Sequence, residues 1–383
     1  MERRLDVSEV VRIPQKKKRN VLKKVIISIT SILLSLVFVS VVGVLLYMNS
    51  IGINFIETEN VKEEDDNSIL LEDINEEDAG ADEDYQIITA VRDKSDIEGS
   101  LYSWYSNGGA HMKSKNVLNI LIVGIDASGG TPMQGNSDVM MLASVNKKEG
   151  KITLCSFLRD SYTYFEDANG NGYYSKLTSA YAYGGADCLM NAIENNYKIK
   201  VDYFVAVDFD AFEKIIDAIG GINLDVTEEE AFTIKHTIDT TGSDKYQVPF
   251  GENVLLNGEQ ALVFARLRKI YATGDIQRTQ NQRKVINAII KKARTLGISD
   301  LNNVVQTLGQ YVYTDCPSTK ILSLGTNAIL GKWYNFQVYS MEAPPESARD
   351  DYKGPPWMWI VDYPYSAQYV QKQIFGKSNI VIQ

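Results

Sequence analysis

Five side chains near residue 270 have types and spacings suited to a diphosphate. Arg266 and Arg268 stand two apart in Ala265-Arg266-Leu267-Arg268, and Asp275, Arg278 and Gln282 follow at intervals of three and four. An extended first pair would point both guanidiniums to one face, because strand side chains alternate. A helical second run would stack its three side chains on one side, since residues three or four apart are helix neighbours. Arginine holds phosphate through two parallel hydrogen bonds and keeps its charge at any physiological pH. The chain carries a formal charge of −10. Arginine concentrated within so acidic a chain points to a polyanionic substrate.

Something must position these groups against further chemistry. Residues 117–125 (VLNILIVGI) form an apolar run of strand length, and 139–145 and 152–158 read as two more strands. Asp126 follows the first, Asp138 precedes the second, and Arg159-Asp160 ends the third. Strand ends on one sheet edge bring such residues into a shared cleft. One or two carboxylates with phosphate oxygens and water are the usual holders of Mg²⁺. A strand at 203–209, helices at 179–197, 210–219, 257–264 and 275–294, and a strand at 222–226 complete an alternation that packs helices on a central sheet. Gly184-Gly185 is a weak point inside the first helix. Residues 333–369, rich in Tyr, Trp and Pro, read as mostly irregular before a helix at 367–375.

Other chemistries are excluded. The two histidines, His111 and His236, lie beside no nucleophile motif, and no G-x-S-x-G occurs. The glycine-rich loop after residue 124 lacks the Lys-Ser/Thr of a P-loop. Cys155, Cys188 and Cys316 are odd in number and widely spaced, which fits neither a disulfide framework nor a zinc site.

Residues 25–48 carry no charge, and Lys16, Lys17, Lys18, Arg19, Lys23 and Lys24 precede them. At about 1.5 Å per residue such a helix crosses a hydrocarbon core of about 30 Å. The one-sided basic flank places the N-terminus in the cytoplasm. The expected organisation is a basic tail (1–24), a single transmembrane helix (25–48), a self-repelling acidic stalk (49–86) and one extracytoplasmic domain (87–383).

The ordered motifs ILIVGID, NSDVMMLASVN, SFLRDSY, KLTSAYAYGG, LNGEQALVFARLR and GDIQRTQNQR resemble the LytR–CpsA–Psr family of envelope proteins over residues 116–294. The resemblance implies a single α-β-α sandwich with a central mixed sheet and a tunnel for a polyprenyl tail. It implies transfer of a glycopolymer, teichoic acid or capsule for example, from a polyprenyl pyrophosphate carrier to peptidoglycan, at a membrane and with no nucleic-acid partner. Mapped by motif, Asp126 and Asp138 would lie at Mg²⁺. Arg159, Lys176, Arg266, Arg268, Arg278 and Gln282 would meet the pyrophosphate, and Arg159, Asp160 and Asp275 would serve catalysis. Two family arginines are replaced here by Asn136 and Asn281. That departure keeps two alternatives open: a sensor that binds the carrier without transfer, and a hydrolase that uses water as acceptor.

Overall fold

The computed structural model describes residues 54–55, 69–70, 93–107, 109–125, 135–239, 247–295, 311–352 and 356–382. The expected membrane span, nearly all of the acidic stalk, and Asp126 lie outside the described residues. No helix among the described residues is long and apolar enough to cross a membrane.

In chain order the strands are β1 (Asn54–Phe55), β2 (Ile69–Leu70), β3 (Met112–Lys113), β4 (Val117–Ile125), β5 (Ser137–Asn146), β6 (Lys151–Phe157), β7 (Tyr162–Glu166), β8 (Gly172–Lys176), β9 (Tyr203–Val207), β10 (Ile222–Val226), β11 (Gly251–Leu256), β12 (Tyr313–Thr314), β13 (Gln337–Ala343), β14 (Arg349–Tyr352) and β15 (Met358–Val361). The α-helices are α1 (Lys94–Asn107), α2 (Leu177–Tyr197), α3 (Phe209–Ala218), α4 (Glu228–Ile238), α5 (Gly258–Arg266), α6 (Asp275–Ala293), α7 (Ser318–Leu330) and α8 (Tyr363–Phe375). A seven-stranded sheet runs β1-β12-β9-β4-β5-β6-β13. It is mixed: β5 is antiparallel to β4 and β6, whereas β9 lies parallel to β4 and β13 parallel to β6.

Alternation along the strands sorts side chains to two faces. Leu121, Val123 and Ile125 of β4 and Phe204 and Ala206 of β9 are fully buried in a core shared with α1, α2 and α8. Removing the bulk of such a side chain, Leu121→Ala for instance, costs about 2–5 kcal/mol. On the opposite face Ile120, Ile122, Tyr203, Val205 and Val207 are only half-buried. α6 covers that face at the β6–β13 edge, where Arg283 lies 3.8 Å from Glu342. A second core joins α3, α4, α5, α6 and the β10–β11 hairpin. α4 and α5 each begin with a capping box, Thr227 with Glu230 and Asn257 with Gln260. These reciprocal bonds satisfy backbone N–H groups that a helix start leaves unpaired.

Three expectations need correction. Residues 333–369 are not mostly irregular: they hold β13, β14, β15 and the first turns of α8, and β13 pairs with β6 over its whole length. The strand expected at 203–209 ends at Val207, because Asp208 caps α3 by accepting from the Ala211 N–H. Arg266 is the last residue of α5, so the Arg266–Arg268 pair is not an extended strand pair. The weak point in α2 is real: Gly184 and Gly185 leave helical geometry, and Gly185 has a φ of 68° that favours glycine.

Candidate functional site

The ends of β4, β5 and β6 meet on one edge. Ile125 stands opposite Ser137, and Met141 opposite Ser156, so the chain leaves β6 beside the start of β5. Asp138 and Arg159 are thereby placed face to face, with Arg159 Nη1 donating to Asp138 Oδ1 at 2.5 Å. Backbone bonds hold this corner: the Thr178 N–H donates to the Arg159 carbonyl at 3.0 Å and the Trp359 N–H to the Asp160 carbonyl at 2.9 Å. The Thr178 hydroxyl donates to the Ser137 carbonyl at 2.8 Å, tying the start of α2 to β5.

From Arg159 the charges alternate outward. Its Nε lies 3.5 Å from Asp160 Oδ2 and 3.5 Å from Asp275 Oδ1. Lys176 Nζ donates to Asp160 Oδ1 at 2.6 Å. Arg278 Nη2 approaches Asp275 Oδ1 at 2.6 Å, as residues i and i+3 of α6. Asp160, Asp275 and Arg278 are buried. Arg268 is exposed, flanks the cluster and folds toward Gly274; Arg266, also exposed, holds its guanidinium 4.3 Å from the Phe209 ring. Gln282 is buried one turn beyond Arg278.

Three cations and three carboxylates balance within the cluster, and Arg268 beside it adds a positive charge. Burial lowers the pKa of Arg278; Asp275 opposes this, and the nearby cations Arg159 and Arg268 add to it. For Arg159 burial also pulls downward, but Asp275, Asp160 and Asp138 outweigh it and raise the pKa. Nε of Arg159 and Nε of Arg278 are buried with no hydrogen-bond partner. α6 begins at Gly274 with no side-chain cap, and a φ of 50° suits glycine there. An uncapped helix start presents free N–H groups and the positive end of the helix dipole, which together favour an anion. Buried guanidinium N–H groups and an open helix start therefore converge where a diphosphate would be held.

Of the expected residues, the structure brings together Asp138, Arg159, Asp160, Lys176, Asp275 and Arg278, with Arg268 at the rim, while Arg266 packs on Phe209. Asp126 lies outside the described residues. The two departures from the family pattern separate. Asn136 is exposed, whereas Asn281 is fully buried and donates to Tyr271 Oη at 3.0 Å. Tyr271 in turn donates to Glu230 Oε1 at 2.5 Å, so Asn281 belongs to the second core. The sequence reading missed Trp357 and Trp359. The Lys176 ammonium lies 5.9 Å from the Trp357 ring, and the signal was the Trp-Met-Trp run itself.

No group of three or more His, Cys, Asp or Glu that could hold a metal occurs among the described residues. The acids present are each engaged by a cation: Asp138 by Arg159, Asp160 by Lys176 and Asp275 by Arg278. That donor set does not make an all-protein cage, but it fits an ion held by one carboxylate and shared with phosphate oxygens. Two surface hollows lie away from this cluster. One of about 530 Å³ separates β10–β11 from the lysines 284, 291 and 292 of α6. The other, about 980 Å³, lies between α1 and the C-terminal residues 379–381.

An α/β domain thus gathers an uncapped helix start and guanidiniums at one sheet edge. The LytR_cpsA_psr family model matches residues 74–372, and the chain belongs to that family. It is 31% identical over 217 residues to a polyisoprenyl-teichoic acid–peptidoglycan teichoic acid transferase TagU of Halalkalibacterium halodurans, covering 56% of this chain and 66% of that one. The chain thus spans about two thirds of the length of the curated relatives it matches. Among solved structures, TagT bound to LI-WTA is similar at a TM-score of 0.53 and 29% identity, covering 68% of this chain and 90% of that one. The YwtF (TagT) protein with bound octaprenyl pyrophosphate lipid is similar at 0.50 and 26%, with the same coverages.

Proposed function

We propose that this protein is a transferase that moves a teichoic-acid-type glycopolymer from a polyprenyl pyrophosphate carrier to peptidoglycan. The observation that carries the reading is the Arg159–Arg278 pair, whose buried Nε groups lack hydrogen-bond partners beside an uncapped helix start. Relatives named as teichoic acid transferases and a similar structure with a bound prenyl pyrophosphate support it.

Arg159 and Arg278 hold the phosphate that is attacked, and Arg266 and Arg268 meet its outer oxygens. Their charge is already in place, so neutralising charge that develops in the transition state needs no reorganisation. Asp138, with Asp126, would hold Mg²⁺ against the phosphate oxygens, and the ion would supply further charge neutralisation there. The acceptor hydroxyl attacks phosphorus, the bond to the polyprenyl phosphate breaks, and Asp160 takes the hydroxyl proton. Lys176 holds Asp160 in place. Asp275 orients both arginines. The half-buried strip of Ile120, Ile122, Val205 and Val207 would take the apolar tail. Gly124 continues that strip, where a Cβ would stand 2.9 Å from Val139.

The reading includes an anchor at residues 25–48 with the domain outside the cytoplasm, supported by the charge-free run and its basic flank. Asn281 is buried in the second core, so the sensor alternative rests on the missing charge at that position and at Asn136. The test incubates the full chain in detergent with a short polyprenyl-pyrophosphate glycan, with and without peptidoglycan and magnesium. Release of polyprenyl phosphate that requires peptidoglycan supports transfer; release without it would mean hydrolysis, and binding without release a sensor.

A further inference from the structure

Beyond Lys176 the surface turns aromatic. β14 and β15 form a hairpin whose Trp359 N–H anchors the Asp160 carbonyl. Trp357 extends the same strand end, half-buried, with its indole N–H on Asp351 Oδ1 at 2.5 Å. Tyr352 (36% exposed), Tyr174 (37%) and Tyr102 (47%) are open to solvent around the adjoining β7–β8 hairpin. Tyr164 sits between the last two, with ring centroids 5.0 Å from Tyr174 and 5.1 Å from Tyr102. Exposed aromatic surface of this extent, continuous with a reactive cluster, marks a binding face.

Two properties narrow the occupant. Aromatic faces carry negative quadrupole charge and attract the positive C–H faces of a pyranose ring, while hydroxyls around the rim take hydrogen bonds. Three acids stand between the rings: Glu98 accepts from Tyr162 at 2.5 Å, Glu166 from Tyr164 at 2.9 Å, and Asp351 from Trp357. Two lysines face them, Lys94 at 3.5 Å from Glu98 and Lys176 at 5.9 Å from the Trp357 ring, so the rim offers a phosphate-rich polymer no net attraction. Resting on the transferase reading above, we infer that Trp357, Tyr352, Tyr174 and Tyr102 form the subsite for the acceptor, a peptidoglycan glycan strand. Its sugar rings stack outward from Trp357, and the attacking hydroxyl is delivered beside Asp160.

The test uses the full chain and its Trp357→Ala, Trp357→Phe and Tyr174→Ala variants, with circular dichroism to confirm folding. Trp357→Ala is expected to raise the KM for acceptor about ten-fold with the KM for donor unchanged, and Trp357→Phe to recover most of the loss. Soluble, phosphate-free peptidoglycan glycan fragments should change the tryptophan fluorescence of the parent protein but not of Trp357→Phe. An unchanged acceptor KM, or a rise confined to the donor, overturns the subsite and leaves the transferase reading standing. Fragment binding that depends on Trp357, in a protein that performs no transfer, would retain the subsite and refute the activity.

Discussion

Helix α6 carries two buried arginine sites that the sequence alone does not tell apart. At its start Arg278 joins Arg159, Asp138, Asp160 and Asp275. Nearer its middle Arg283 faces Glu342, which also accepts from Arg349 Nη1 at 2.9 Å. Arg349 is spent elsewhere as well: it donates to the Pro344 carbonyl at 2.8 Å and lies 5.0 Å from the Trp359 ring. The second site fastens α6 and β14 to the sheet edge. The first adjoins exposed Arg268, so its positive charge continues to the surface. The difference lies in where the surplus charge leads. Buried ion pairs alone are weak indicators of function.

Separate variants should split the two sites. Arg159→Ala is expected to lower turnover about 100- to 1,000-fold while the protein stays folded; comparable turnover in a release assay would end the catalytic role assigned to it. Glu342→Gln should do the reverse. Leaving Arg283 and Arg349 buried without their shared acid should cost roughly 3 kcal/mol in urea unfolding, with turnover of the folded protein retained. Arg266→Ala, at an exposed position, should raise the donor KM about ten-fold and leave the urea midpoint where it is.

A pH effect remote from both arginine sites serves as a control for them. Burial lowers the pKa of His111 to about 4, with help from Lys200 and Lys198 and against its contact with Asn195. An unfolded histidine titrates near 6.5. The unfolded chain therefore binds more protons between these values, and stability present above about pH 6.5 is lost as pH falls toward 4. Discounted for partial exposure, the loss is about 2 kcal/mol. Urea midpoints at neutral and acid pH measure it, and His111→Asn should flatten the difference. Both arginine sites keep their guanidinium charge across that window.

Much of the cleft was legible because it rests on local periodicity. Three- and four-residue spacing placed Asp275, Arg278 and Gln282 on one helix face, and apolar runs placed Asp138 and Arg159 at strand ends. What was not legible depends on distant partners. β13 (QVYSMEA) alternates poorly and has an exposed outer side, and it becomes a strand by pairing with β6 almost two hundred residues earlier in the sequence. Glu342, on that strand, could not be matched to Arg283 beforehand. Asn281 looked like a lost charge at the phosphate. Its burial against Tyr271 and Glu230 follows from packing between α4, α5 and α6, which no motif encodes.

The amide of Trp359 has a consequence for the order in which the protein becomes competent. Every guanidinium of the cleft has been made by residue 278, yet the backbone that carries Asp160 is pinned by an N–H some eighty residues later. A polypeptide stopped before β13 would own all its cations and lack both the flanking strand and this pin. The reactive corner is completed from the far end of the chain, so a shortened product would grip its anion without aligning the carboxylate beside it.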